Sequence, residues 1–200
     1  MELDLRKVNI QWLTIEKNTD RHAKMKAMFE RLGFTKVNQI NGPIVKPYTV
    51  GIAQAHIAGL IRGLNEPLLI LEDDCQETKD FNPMITLPDS HVDAVYLGTS
   101  TYGQVDGISH MGKCITASYD DDYVRVLNML GMHAILYLSK EWKTKIITHL
   151  QAFIRNPSNK GADDGIVPMM EGNIILGARR PFFYQNDGHS EAATQIPLGS

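Results

Sequence analysis

Residues 8–15 (VNIQWLTI) concentrate β-branched and aromatic side chains, and Asn18, Thr19 and Asp20 after them offer helix-capping oxygens. The pattern predicts a strand feeding a helix. Over residues 21–33 the apolar side chains Met25, Met28, Phe29 and Leu32 recur at i, i+3, i+4 and i+7, one stripe of an amphipathic helix, with Gly33 suited to its C-terminal end. Residues 35–40 predict the next strand, closed by the Asn41-Gly42-Pro43 turn. A second helix is expected after Thr49, with Ile57, Leu60, Ile61 and Leu64 as its apolar stripe and Asn65-Glu66-Pro67 as its stop. Residues 68–71 (LLIL) are continuously apolar, which predicts a strand buried on both faces.

Residues 94–97 (AVYL) predict a short strand ending at Gly98, and residues 99–112, rich in Gly, Ser and Thr without a period, predict a long loop of the kind that covers a site. Residues 131–138 (GMHAILYL) are strand-like, and Ser139 can cap a helix that buries Trp142, Ile146, Leu150, Phe153 and Ile154. Residues 156–161 (NPSNKG) break that helix. A short segment at 163–170 follows, and residues 174–176 and 182–184 are the last strand candidates. The alternation of strands and helices predicts an α/β fold with a largely parallel sheet flanked by helices.

Composition narrows the class of protein. The chain has 200 residues, 43% of them hydrophobic and 22% charged, with 20 Lys and Arg against 23 Asp and Glu, a net charge of −3. That balance excludes disorder and coiled coil and offers no general attraction to nucleic acid or anionic lipid. The two cysteines, Cys75 and Cys114, have neither metal-ligand spacing nor the density of a disulfide scaffold, so reduced thiols and a cytoplasmic location are expected. No apolar run reaches the roughly 18–20 residues that span a bilayer, and nothing in the opening residues predicts export.

The strongest chemical signal is Glu72-Asp73-Asp74, directly after LLIL. Ligands of open parallel sheets gather beyond the carboxyl ends of the strands, and hard cations such as Mg²⁺ or Mn²⁺ take carboxylate oxygens while keeping positions open for phosphates. A solvated acidic turn is the plainer alternative. Three adjacent acids repel one another without a cation, which favours the metal. A second pair, Asp163-Asp164, suits either helix capping or catalysis. Asp120-Asp121-Asp122 has no apolar strand leading into it and reads as a solvated face. His56, near Ile52 and Leu60 on its helix, reads as a structural histidine, and His189 stands in a polar tail.

Taken in order, these segments resemble glycosyltransferase family 25, which includes lipooligosaccharide and collagen galactosyltransferases. Asn18-Thr19-Asp20-Arg21 matches the family's Thr/Pro-Asp-Arg element after the first strand, and Ile40-Asn41-Gly42 its following turn. Residues 51–56 keep the Gly and His of its Gly-Cys-x-x-Ser-His helix, as Gly51 and His56, without the Cys and Ser. Residues 69–74 match its apolar strand ending in Glu-Asp-Asp, and Tyr96-Leu97-Gly98 its Tyr-Leu-Gly strand. Residues 131–134 resemble its Gly-x-x-Ala strand, Asp163-Asp164 its acidic pair, and Pro181, Gln185 and Ser190 its terminal element.

The resemblance implies a glycosyltransferase A-type fold in one domain, residues 1–200, with a nucleotide-sugar half at about 1–98 and an acceptor and lid half at about 99–200. It implies a hexose, galactose or another, moved from a nucleotide-diphosphate sugar to the hydroxyl of a glycan or other acceptor, with inversion. Asp74, helped by Glu72 and His189, would hold Mn²⁺ or Mg²⁺ against the diphosphate, and Asp164 would take the acceptor proton. Arg21, His56, Glu72, Asp73 and Asp163 would contact the donor. Two other functions are open to these residues: a metal-dependent phosphoester hydrolase, and a nucleotide-sugar-binding module without turnover.

Overall fold

The computed structural model describes residues 1–88, 91–105, 108–157 and 161–186. The first half runs β1 (Glu2–Asp4), β2 (Asn9–Thr14), α1 (Thr19–Leu32), β3 (Val37–Asn41), α2 (Tyr48–Arg62) and β4 (Leu68–Glu72). It continues through β5 (Cys75–Glu77), β6 (Met84–Thr86) and β7 (Ala94–Tyr96). The second half adds the hairpins β8 (Tyr102–Val105) with β9 (Ile108–Lys113) and β10 (Ile115–Ser118) with β11 (Tyr123–Asn128). It closes with β12 (Ala134–Tyr137), α3 (Lys140–Arg155), α4 (Val167–Met170), β13 (Ile175–Ala178) and β14 (Phe183–Gln185).

Eight of these strands form the central sheet, in the order β10-β11-β13-β7-β12-β4-β2-β3. The pairs β2–β3, β2–β4 and β13–β7 are parallel and the other four antiparallel, so six strands run one way and β11 and β12 run against them. The sheet is therefore mostly parallel in direction but mixed in pairing. At its centre β4 has the double burial expected of LLIL. Leu69 and Leu71 join Trp12, Met25, Met28 and Phe29 beneath α1, while Leu68 and Ile70 join Leu60, Trp142, Ile146 and Leu150 beneath α2 and α3. The period of two along a strand sends alternate residues to the two layers.

Two helix ends carry the expected local signal, whereas Asn18, before α1, makes no capping hydrogen bond and donates its side-chain amide to Asp73 instead. Gly33 takes the left-handed conformation at φ 74° after α1, and Ser139 Oγ accepts from Trp142 N at 3.1 Å at the start of α3. The buried face of α2 differs from the expected stripe. Ile61 is exposed, and the face turned inward carries Gly51, Ala55, His56, Gly59 and Leu60. Small residues let the helix lie close: a Cβ at Gly51 would stand 2.3 Å from Pro43 O. The loop expected over residues 99–112 is largely the β8–β9 hairpin, because backbone hydrogen bonds across Gly103 and Gly112 close it without an apolar period.

Asp93 ties the middle of the sheet to the start of α3. It is buried, and its carboxylate accepts from Ser139 Oγ at 2.6 Å, Ile174 N at 2.8 Å and His91 Nε2 at 3.0 Å. Burial alone would raise the carboxyl, but these donors outweigh it and hold it below the ordinary 3.8. A depressed carboxyl contributes stability above its unfolded pKa and loses it as pH falls through the folded value. Asp93→Ala is expected to cost about 2–3 kcal/mol in urea unfolding at pH 7, from buried donors left unmatched. The gap from wild type should narrow as the pH is taken below the ordinary 3.8.

Candidate functional site

The site begins where β2 and β4, paired in parallel, end side by side. The strand geometry stops at Glu72, and Asp73 and Asp74 form a turn, so the alternation of a strand does not govern where their side chains go. Asp73 is buried. Its Oδ2 accepts from Thr14 Oγ1 and from Asn18 Nδ2 at 3.0 Å, and its Oδ1 accepts from Arg21 Nη1 in an ion pair. His22 Nε2, 2.9 Å from Thr14 Oγ1 and 3.1 Å from Ile15 O, braces Thr14 from behind. Asp73 is thus held by the end of β2 and the first turn of α1.

Glu72 is oriented by different partners. His56, fully buried on α2, donates from Nε2 to Glu72 Oε1 at 3.0 Å, and Gln185 Nε2 lies 3.5 Å from Oε2. Burial would raise Glu72, but the His56 hydrogen bond and the nearby imidazoles of His56 and His133 leave its carboxyl below the usual range. The His133 carbonyl accepts from Glu72 N at 2.9 Å and from the Cys75 thiol, clamping the acidic turn at both ends.

Asp74 is the member of the trio with spare capacity. Its Oδ1 is buried without a hydrogen-bond partner among the described residues. Burial first, and then the charge of Glu72, push its carboxyl up to about 6 against the pull of Arg21. A half-buried carboxylate with an unused oxygen beside a second carboxylate suits a hard cation that takes its remaining ligands from phosphate and water. Among the described residues no three His, Cys, Asp or Glu side chains converge as a ready-made metal group. His189, expected as a further ligand, lies outside the described residues.

Two cavities meet at Glu72. The first, about 310 Å³, runs from Thr14, Asn18 and Arg21 past the Gly42-Pro43 turn to Tyr48, and Glu72, Asp73 and Asp74 border it. The second, about 560 Å³, is bordered by Glu72, Tyr48, Ser100, Gly131, Asp163 and Gln185. A third, about 320 Å³, opens on the α1 side of Asp74.

The acidic pair divides between wall and interior. Asp163 borders the second cavity, and its Oδ2 accepts from Gly131 N at 2.7 Å. Burial, with the charges of Asp164 and Glu72, raises its carboxyl despite that bond. Asp164 is buried, and Gln104 Nε2 donates to its Oδ1 and to its carbonyl, both at 2.7 Å. The structure thus brings together Arg21, His56, Glu72, Asp73, Asp74 and Asp163, with Asp164 behind the wall. Thr14, Tyr48 and Gln104 carried no chemical signal in the sequence. Gln185 stood in the terminal element matched to family 25. Asp120 Oδ1 accepts from Asp122 N at 2.9 Å and Tyr123 N at 2.7 Å, a turn between β10 and β11.

The sheet order, the covering helices and the acidic turn at the end of a central strand make up a glycosyltransferase A-type α/β fold. Among solved structures the chain is similar to a glycosyltransferase involved in the glycosylation of the major capsid of PBCV-1, with a TM-score of 0.56 and 12% identity over 92% of this chain and 95% of that one. It also aligns with a CTP:phosphocholine cytidylyltransferase from Streptococcus pneumoniae, at a TM-score of 0.47 and 8% identity over 88% of this chain and 72% of that one. No family model matches the chain, and no curated protein matches it in sequence. No helix among the described residues is long and apolar enough to cross a membrane.

A carboxyl raised on folding binds protons more readily in the folded than in the unfolded state, so stability falls as pH rises between the ordinary 3.8 and about 6. Asp74→Asn removes that penalty. In chelator, calorimetry should find the variant melting several degrees above wild type at pH 7.5, with the difference closing towards pH 4.

Proposed function

We propose that the chain is a metal-dependent glycosyltransferase, similar to family 25, that moves a hexose from a nucleotide-diphosphate sugar to an acceptor hydroxyl with inversion. The observation that carries this reading is the meeting of two cavities at Glu72, one bordered by Asp74 and the other by Asp163. The described lining of the first cavity comes from residues 13–74, which supports a nucleotide-sugar half at about 1–98. The second draws on residues 100–185 as well, which supports an acceptor half at about 99–200. The two free cysteines fit a reducing, cytoplasmic setting.

On this reading the nucleotide lies in the first cavity, between Asn18 and Arg21 on one side and the 42–45 segment on the other. Asp74 and Glu72 would hold Mn²⁺ or Mg²⁺, and His189 is kept as a third candidate because Asn186, three residues before it, donates its N–H to Asp74 O at 2.8 Å. The cation would neutralise the negative charge that grows on the departing diphosphate. Asp73, occupied by three donors, positions Arg21 and the turn and does not coordinate. The acceptor enters the second cavity, where a carboxylate takes the proton of the attacking hydroxyl as the new bond to the anomeric carbon forms. We assign that step to Asp163, the cavity-facing member of the pair, and to Asp164 a supporting position behind it.

Asp163→Asn is expected to lower kcat by about 10²–10⁴ while leaving the Kd for donor unchanged, since proton removal belongs to the transition state. Asp164→Asn should cost less; the reverse ranking returns the base role to Asp164. Asp74→Asn should abolish Mn²⁺-dependent binding of a nucleoside diphosphate in calorimetric titration while preserving the far-ultraviolet spectrum. Unchanged binding of that nucleotide in excess chelator would remove the cation from the reading.

A further inference from the structure

The seam between the two cavities has one polar and one apolar side. On the polar side are the Glu72 carboxylate and Gln185 Nε2. On the apolar side, Tyr48 and Ile52 stand one helical turn apart on α2 and border both cavities. Tyr48 is 74% exposed and Ile52 42%, next to Ile44 at 66%. The Tyr48 side chain has no hydrogen bond or ring contact among the described residues. Scattered exposed apolar side chains are ordinary, but a contiguous patch on the rim of a cleft marks a contact surface.

A pyranose ring has the matching chemistry, with C–H bonds grouped on one face and hydroxyls around its edge. We propose that Tyr48 is the specificity-determining platform for the transferred hexose, packing against its C–H face while the Gln185 amide hydrogen-bonds a hydroxyl at its edge. This rests on the glycosyltransferase reading and adds to it the residue that grips the sugar as distinct from the nucleotide. In that reading the nucleotide fills the first cavity and the acceptor the second, so the sugar being moved is what crosses the Tyr48–Ile52 ridge.

The experiment compares two probes on wild type, Tyr48→Phe and Tyr48→Ala: UDP alone, and UDP-galactose, UDP-glucose or GDP-mannose, whichever shifts wild-type melting most, with GDP replacing UDP for the last. Calorimetric titration in Mn²⁺ gives each Kd. Tyr48→Ala is expected to weaken the nucleotide sugar by roughly threefold to tenfold and leave the bare nucleotide unchanged, while Tyr48→Phe stays within about twofold of wild type on both. Equal losses on the two probes would make Tyr48 a nucleotide contact and overturn the proposal, as would no loss on either. Wild type that binds neither probe would overturn the glycosyltransferase reading itself, an outcome distinct from a functional donor site indifferent to Tyr48.

Discussion

The Asp73 carboxylate takes hydrogen bonds from Thr14 at the end of β2 and from Asn18 and Arg21 around the start of α1. Two strand ends and a helix start are fixed to one another through a single side chain. Removing one of these donors leaves the buried Asp73 carboxylate short of a partner, at a cost of about 1–3 kcal/mol. With Asp73 saturated, its neighbours are left for other work. Glu72 is turned to His56 and Gln185, and Asp74 keeps an oxygen unmatched among the described residues. Three consecutive acids thus have three different situations, which like-charge repulsion alone would not create.

The sheet supplies the remaining walls from one edge. β2, β3 and β4 run in the same direction and deliver Thr14, Gly42 and Glu72 at their carboxyl ends, where ligands of open α/β sheets bind. β12 runs against them, so its contribution to the same edge is the segment leading into it: Gly131 with its N–H on Asp163, and the His133 carbonyl under the acidic turn. Glycines allow the close approaches. Gly131 has φ 106°, and a Cβ at Gly98 would stand 2.4 Å from His133 Nε2. A reversed strand in a mostly parallel sheet thereby joins the two cavities.

The sequence made the centre of this arrangement readable and left the periphery obscure, for physical reasons. LLIL before Glu72 is legible because a strand buried on both faces has no polar position to interrupt it, and α1 and α3 because their stripes face one layer. The β8–β9 and β10–β11 hairpins are held by backbone pairing, and the side chains of β8 and β10 are mostly exposed or half-buried, so polarity carries little trace of them. α2 misleads because its close contact selects small residues over large ones. Asp163 and Asp164 are adjacent in a turn, where spacing does not tell which faces the cavity. The pairing of Gln104 with Asp164 spans 60 residues and has no local signature.

The thiol of Cys75 makes the acidic turn observable in another way. It is buried, donates to the His133 carbonyl, and burial with the nearby carboxylates raises its pKa well above the ordinary value. Cys114, on the far side of the sheet, is pushed up to about 12 by burial. Neither sulfur offers much thiolate to an alkylating reagent while the fold is closed. The rate at which Cys75 is alkylated is therefore a clock for local opening of the segment beside Asp74, and ligands that tighten this turn slow it without any need to observe turnover.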